Sequence, residues 1–132
     1  MASSALAGRV ARCRSDVDGT ELVEALRQRE RLSTTALTDG IAVPHAKLPG
    51  LGGIVAALAR SIPGIDFDAH DGTRTHLFFL LVAPTERPGD HLKTLAAVSR
   101  LLHDPRCRAD LMAAPDEAAM LSALDGYTLR AA

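Results

Sequence analysis

Aromatic residues are scarce in this chain, with three Phe, one Tyr and no Trp among 132 residues. Proteins that read single-stranded nucleic acid stack its bases on aromatic faces, and duplex readers need a basic surface. A formal net charge of −1 gives no excess of either kind, so no nucleic-acid partner is expected. Cysteine is sparse as well. Cys13 and Cys107 lie far apart without a C-x-x-C pair, which argues against a disulfide framework or a thiolate metal site. The histidines, His45, His70, His76, His91 and His103, share none of the close spacings that hold zinc, so neither a metal nor a cofactor is expected. Long apolar runs are missing too. The longest, "HLFFLLVA", falls well short of the roughly 20 residues a membrane helix needs. In "MASSALAGRVARCR" the charge follows a weak apolar stretch, the reverse of a secretory signal. Together these absences predict a soluble, cytoplasmic protein with no direct membrane insertion.

What is present is aliphatic. Nearly half the residues are hydrophobic (47%), so the core must come from Leu, Ala, Val and Ile, and the length suits one domain spanning residues 1–132. Leu6, Val10 and Cys13 at helical spacing predict a short helix over 4–13. A second helix is capped by Asp18 with Glu21 three residues on, and Leu22, Ala25, Leu26 and Arg29 follow on one face. "STTALTDG" reads as a loop, and "IAV" as a strand that must end before Pro44. "GGIVAALARS" is strand-like, although its alanines leave a helix open. Asp71-Gly72 punctuates a hairpin between "IDF" and "THLFFLLVA", whose unbroken apolar character places it centrally in a sheet covered on both faces. Asp90 is a candidate cap for a helix through "HLKTLAAVSRLLHD", with Leu92, Leu95, Ala96, Ser99 and Leu102 on one stripe. Two shorter helices, over 105–114 and 115–124, each open with a proline. The pattern predicts a three-layer α/β/α domain with a central mixed β-sheet flanked by helices.

Two histidines fall where a regular element meets a loop. His45 follows a strand end, and His91 sits at a helix start, where free amides disfavour an imidazolium. A neutral imidazole keeps the lone pair that a nucleophile needs. The same placement also suits a histidine that is merely hydrogen-bonded, and composition and spacing do not choose between the two. His70 reads as a turn residue, His76 as a strand-edge polar group and His103 as a favourable charge near a helix C-terminus.

At these residues the sequence resembles the enzyme IIA domains of the bacterial phosphotransferase system, in the fructose, mannitol and nitrogen-regulatory group. The family pattern R-E-x-L-x-S-T-x-L-x-x-G-[IV]-A-[IV]-P-H is matched by "RERLSTTALTDGIAVPH", residues 29–45. "GIDFDAHDG", "HLFFLLVAP" and "HLKTLAAVSRLL" follow in the family's order, and four ordered blocks are far more specific than one. The resemblance runs over roughly residues 5–124. It implies that His45 accepts a phosphoryl group from a phosphocarrier protein of the HPr or NPr type. His91 would help hold that group, Arg29 would bind its oxygens through a planar fork, and Asp39 and Thr35 would orient the site. The acceptor would be an enzyme IIB or a regulatory target protein, and no cofactor is needed when the donor is already a phosphoprotein.

Three departures accompany the match. The chain begins too late for the strand that usually opens the family, so that edge is either missing or supplied by a partner. Within the motif the usual S-T pair appears as Thr34-Thr35, and Ser33, Ala36 and Thr38 stand where glycine is common, which restricts the loop backbone. No enzyme IIB or membrane IIC pattern is recognisable in these residues, so the domain is expected to act on partners in trans. The resemblance favours the regulatory, nitrogen-type branch. The alternatives are a sugar-transport enzyme IIA serving a separate IIB protein, or a binding module of the same fold with no phosphorelay.

Overall fold

The computed structural model describes residues 2–131, and the side chains of 5–87, 89 and 91–127. Its elements run α1 (Ala2–Cys13), α2 (Gly19–Leu32), β1 (Ile41–Ala42), β2 (His45–Leu48), β3 (Val55–Ile65), β4 (Thr75–Pro84), α3 (Pro88–Leu102), α4 (Pro105–Ala113) and α5 (Glu117–Ala131). The fold is mixed α/β, as the sequence pattern predicts. The chain divides into two compact units, Met1–Leu95 and Ala96–Ala132.

The first unit contains the sheet. β4 lies at its centre, antiparallel to β3 on one side and parallel to β1 and β2 on the other. Side chains alternate along a strand, and both faces of β4 are buried. Leu80 and Val82 join a cluster with Ala46, Leu48 and Val55, against which Ala7 and Val10 of α1 and Leu22 and Leu26 of α2 pack. Leu77, Phe79, Leu81 and Ala83 on the opposite face are buried as well, so β4 is covered on both sides.

The α2 expectation holds in detail. Asp18 Oδ1 accepts from the backbone N–H groups of Thr20 and Glu21, satisfying two donors that a helix start leaves free. On α1 the buried residues are Ala7 and Val10, whereas Cys13, expected on the same face, is exposed.

Several expectations are corrected. β1 does end before Pro44, but the chain does not leave the sheet there. Pairing with β4 runs in step from Ile41–Leu77 and Ala42–Phe78 to His45–Leu81 without a slip, and the Pro44 carbonyl accepts from the Leu81 N–H. What the proline removes is a single donor, which interrupts the ladder for two residues and leaves its direction intact. β2, "HAKL", is therefore a strand that sequence reasoning read as loop. "GGIVAALARS" is strand, and "IDF" forms no strand of its own: β3 reaches Ile65, opposite Thr75, across an irregularity between Arg60 and Ile65. α3 starts at Pro88, which places Asp90 inside its first turn and not at the cap; the Asp90 side chain is outside the described residues. The expected stripe is rotated. Leu92 is 67% exposed, whereas His91, Val98 and Leu102 are buried.

In the second unit Pro105 does open α4, with Asp104 capping it through the Arg106 N–H. α5 begins at Glu117, two residues past Pro115, and the Asp116 carboxylate accepts from the Ala119 N–H. Tyr127 Oη donates to Asp110 at 2.6 Å between α4 and α5. Among the described residues no helix is long and apolar enough to cross a membrane.

Candidate functional site

His45 opens β2 and is half-buried. Its Nδ1 stands 2.8 Å from the Val43 carbonyl, which can only accept, so Nδ1 carries the proton and Nε2 keeps its lone pair. That lone pair receives a hydrogen bond from Arg29 Nε–H at 3.0 Å. Arg29 reaches the strand from the last turn of α2, where its Nη1 also donates to the Ser33 carbonyl at 3.0 Å and so satisfies a free carbonyl at the helix end. One guanidinium thus ties the end of α2 to the imidazole.

The second imidazole comes from α3. The ring centroids of His45 and His91 are 5.2 Å apart, at an interplanar angle of 43°. His91 is only 5% exposed, and its Nδ1 is buried with no hydrogen-bond partner.

Both imidazoles are held below the ordinary value, so their charged forms are disfavoured. Burial holds His45 below the ordinary imidazole value; the Val43 hydrogen bond opposes this, and the positive charge of Arg29 reinforces it. Glu30 pulls the value back up, and Lys47 adds to the lowering. For His91 burial again dominates, with the charges of His45 and Lys47 acting in the same direction. Lys47 lies two residues beyond His45 on β2 and is exposed. The outcome is an imidazole whose charged form is disfavoured beside Arg29 and Lys47. Among the described residues no group of three or more His, Cys, Asp or Glu could hold a metal ion.

Of the residues singled out in the sequence, the structure brings together Arg29, His45 and His91. Thr35 is one step away. It is 4% exposed and its hydroxyl donates to Glu30, so what it offers the site is its carbonyl, which accepts from the Val43 N–H at 3.0 Å. Asp39 lies in a left-handed turn (φ 65°) two residues before β1. There its backbone N–H meets the Asp71 carboxylate at 3.3 Å. Sequence reasoning missed Glu30, the Val43 carbonyl and Lys47. Glu30 was in view as the second letter of the R-E pair, but which strand edge it faces is not a local property. Lys47 was hidden by reading β2 as loop.

Residues 6–126 match the model of the family described as the phosphoenolpyruvate-dependent sugar phosphotransferase system, EIIA 2. A nitrogen regulatory protein of Bradyrhizobium diazoefficiens is 46% identical over 101 residues, covering 76% of this chain and 66% of the relative. A PTS system fructose-specific EIIA component of Haloferax volcanii is 39% identical over 97 residues, covering 74% of this chain and 63% of the relative. The chain thus spans slightly under two thirds of these relatives' lengths. Among solved structures, the nitrogen regulatory protein IIA-Ntr of Neisseria meningitidis superposes with a TM-score of 0.77 at 29% identity, covering 83% of this chain and 75% of that one. The IIA mannitol structure from Escherichia coli, at 20% identity and a TM-score of 0.76 over 93% of this chain and 86% of that one, shares the fold.

Proposed function

The chain belongs to the EIIA 2 family of the phosphoenolpyruvate-dependent sugar phosphotransferase system, and from that membership we propose that it carries a phosphoryl group on Nε2 of His45. The observation that carries this reading is the committed imidazole: Nδ1 is given to the Val43 carbonyl, and Nε2 is left as a lone pair under Arg29. The donor is a phosphohistidine on a phosphocarrier protein of the HPr or NPr type. The Nε2 lone pair forms the new N–P bond while the donor's N–P bond breaks, and that electron pair returns to the donor imidazole. Arg29 releases Nε2 as phosphorus arrives and turns its fork to the phosphoryl oxygens, supplying charge where it is needed. His91 and Lys47 add polar and positive groups on the same side. Phosphoryl transfer asks for little beyond positioning and charge, so no metal or nucleotide is required. His45, Arg29 and His91 hold the group, and Thr35 acts through its backbone. Residues 6–126 work as an enzyme IIA domain in the cytoplasm.

The relatives support a regulatory, nitrogen-type role, in which phosphorylation of His45 changes affinity for a target protein. The fructose-specific relative supports a second reading, delivery of the phosphoryl group to a separate enzyme IIB. Incubation with phosphoenolpyruvate, enzyme I and a phosphocarrier protein tests the common core. An acid-labile phosphate is expected on the wild type and none on His45→Ala; an unlabelled wild type overturns the reading. Transfer onward to an enzyme IIB would select the sugar-transport branch.

A further inference from the structure

The segment 35–37 runs antiparallel along the outer edge of β1. Ala36 bridges Ala42, the Leu37 N–H donates to the Ile41 carbonyl at 2.7 Å, and the Val43 N–H donates to the Thr35 carbonyl at 3.0 Å. In such a ladder the hydrogen-bonded pairs exchange two bonds each, so the regular partner of the Thr35 N–H is the Val43 carbonyl. That bond is replaced. The Thr35 N–H goes to Glu30 Oε2 at 3.1 Å, and the Thr35 hydroxyl donates to Glu30 Oε1. The Val43 carbonyl, left without its ladder donor, takes the proton of His45 Nδ1.

We propose that Glu30 is a positioning residue for His45: by drawing the Thr35 amide out of the ladder it leaves the Val43 carbonyl to the imidazole, and so selects the tautomer with Nε2 free. The proposal deepens the phosphoryl-carrier reading and rests on it for its functional consequence, though the tautomer itself is a property of the unphosphorylated protein. A histidine's free nitrogen is set by what the other nitrogen is bonded to, and a wrong tautomer presents an N–H where a nucleophile is needed. Glu30 sits next to Arg29 on α2, so consecutive residues act on the two ring nitrogens, Arg29 directly on Nε2 and Glu30 through Thr35 and Val43 on Nδ1. The charged and titratable groups around His45 are Arg29 and Glu30 from α2, Lys47 from β2 and His91 from α3.

The test is long-range nitrogen–proton NMR of the imidazoles in the full chain, together with the phosphorylation rate. In the wild type at neutral pH His45 is expected with Nδ1 protonated. In Glu30→Ala the Thr35 N–H is free to close on Val43, and a mixture of tautomers is expected with phosphorylation slower by roughly tenfold or more. Glu30→Gln keeps an oxygen acceptor for the Thr35 amide and is expected to restore the wild-type tautomer and most of the rate. Gln also tests the idea should the alanine variant fail to fold: wild-type tautomer in Gln supports it. A folded Glu30→Ala with the tautomer unchanged overturns the proposal, as does a Glu30→Gln protein with the tautomer lost. If the wild type shows the expected tautomer but takes no phosphate, the carrier reading fails and the positioning role of Glu30 stands.

Discussion

His45 owes its chemistry to burial and two neighbours, each acting on a different property. Burial disfavours its charged form, the Val43 carbonyl chooses which nitrogen holds the proton, and Arg29 occupies the remaining lone pair. A pH dependence follows. A cation near an imidazole lowers the pH at which it protonates, so the neutral, nucleophilic form persists below the ordinary imidazole range of about 6.5. The acid limb of the phosphorylation rate is expected to fall below that range in the wild type. Removing the guanidinium in Arg29→Gln takes away a lowering influence, so the acid limb should move to higher pH, alongside a lower rate at every pH. Rate measurements across pH 5 to 8 check both; an acid limb that stays in place would mean that Arg29 does not set the basicity of His45.

At the scale of elements, the motif is spread over a helix end, a strand edge and a helix start, and each had a different legibility. α2 was readable because its cap, its period and its buried leucines are all local. The β1–β2 line was not, because a proline in sequence reads as a stop, whereas in the sheet it costs one hydrogen bond and β4 continues to guide the chain. His91 was readable as a helix-start histidine, yet its burial was not, since the exposed side of α3 turned out to carry Leu92. Gly64 shows the same distinction. Its φ is +81°, and a Cβ there would stand 2.7 Å from His76 Cε1 and 2.8 Å from Arg74 Cβ. Gly64→Ala is therefore expected to destabilise the protein by about 1–3 kcal/mol, seen as a lower urea midpoint with an unchanged slope. Full stability in that variant would show that the β3 irregularity relaxes freely.

At the scale of the whole molecule, β4 organises the first unit. It pairs with β3 along one edge and with β1 and β2 along the other, and both of its faces are buried. Opening it would break more hydrogen bonds and expose more apolar surface than opening any other strand. Hydrogen exchange of the native protein is expected to be slowest at the backbone amides of Leu77–Val82 and faster by orders of magnitude in the 66–74 connection. Fast exchange in β4 would contradict its central place.

The sequence by itself determined the local elements and the chemical alphabet: an aliphatic core, capped α2, an apolar β4 and the histidines, arginine and glutamate in a recognisable order. Those features depend on periodicity and on neighbours within a turn, which a chain carries wherever it goes. Tertiary structure alone decided that the chain rejoins β4 in the same register directly after Pro44, and that His91 comes to rest 5.2 Å from His45. It also decided which backbone group Glu30 would claim. Each of these outcomes depends on which strand edges meet, and a backbone N–H or carbonyl has no preference among distant partners until the sheet brings one of them within reach.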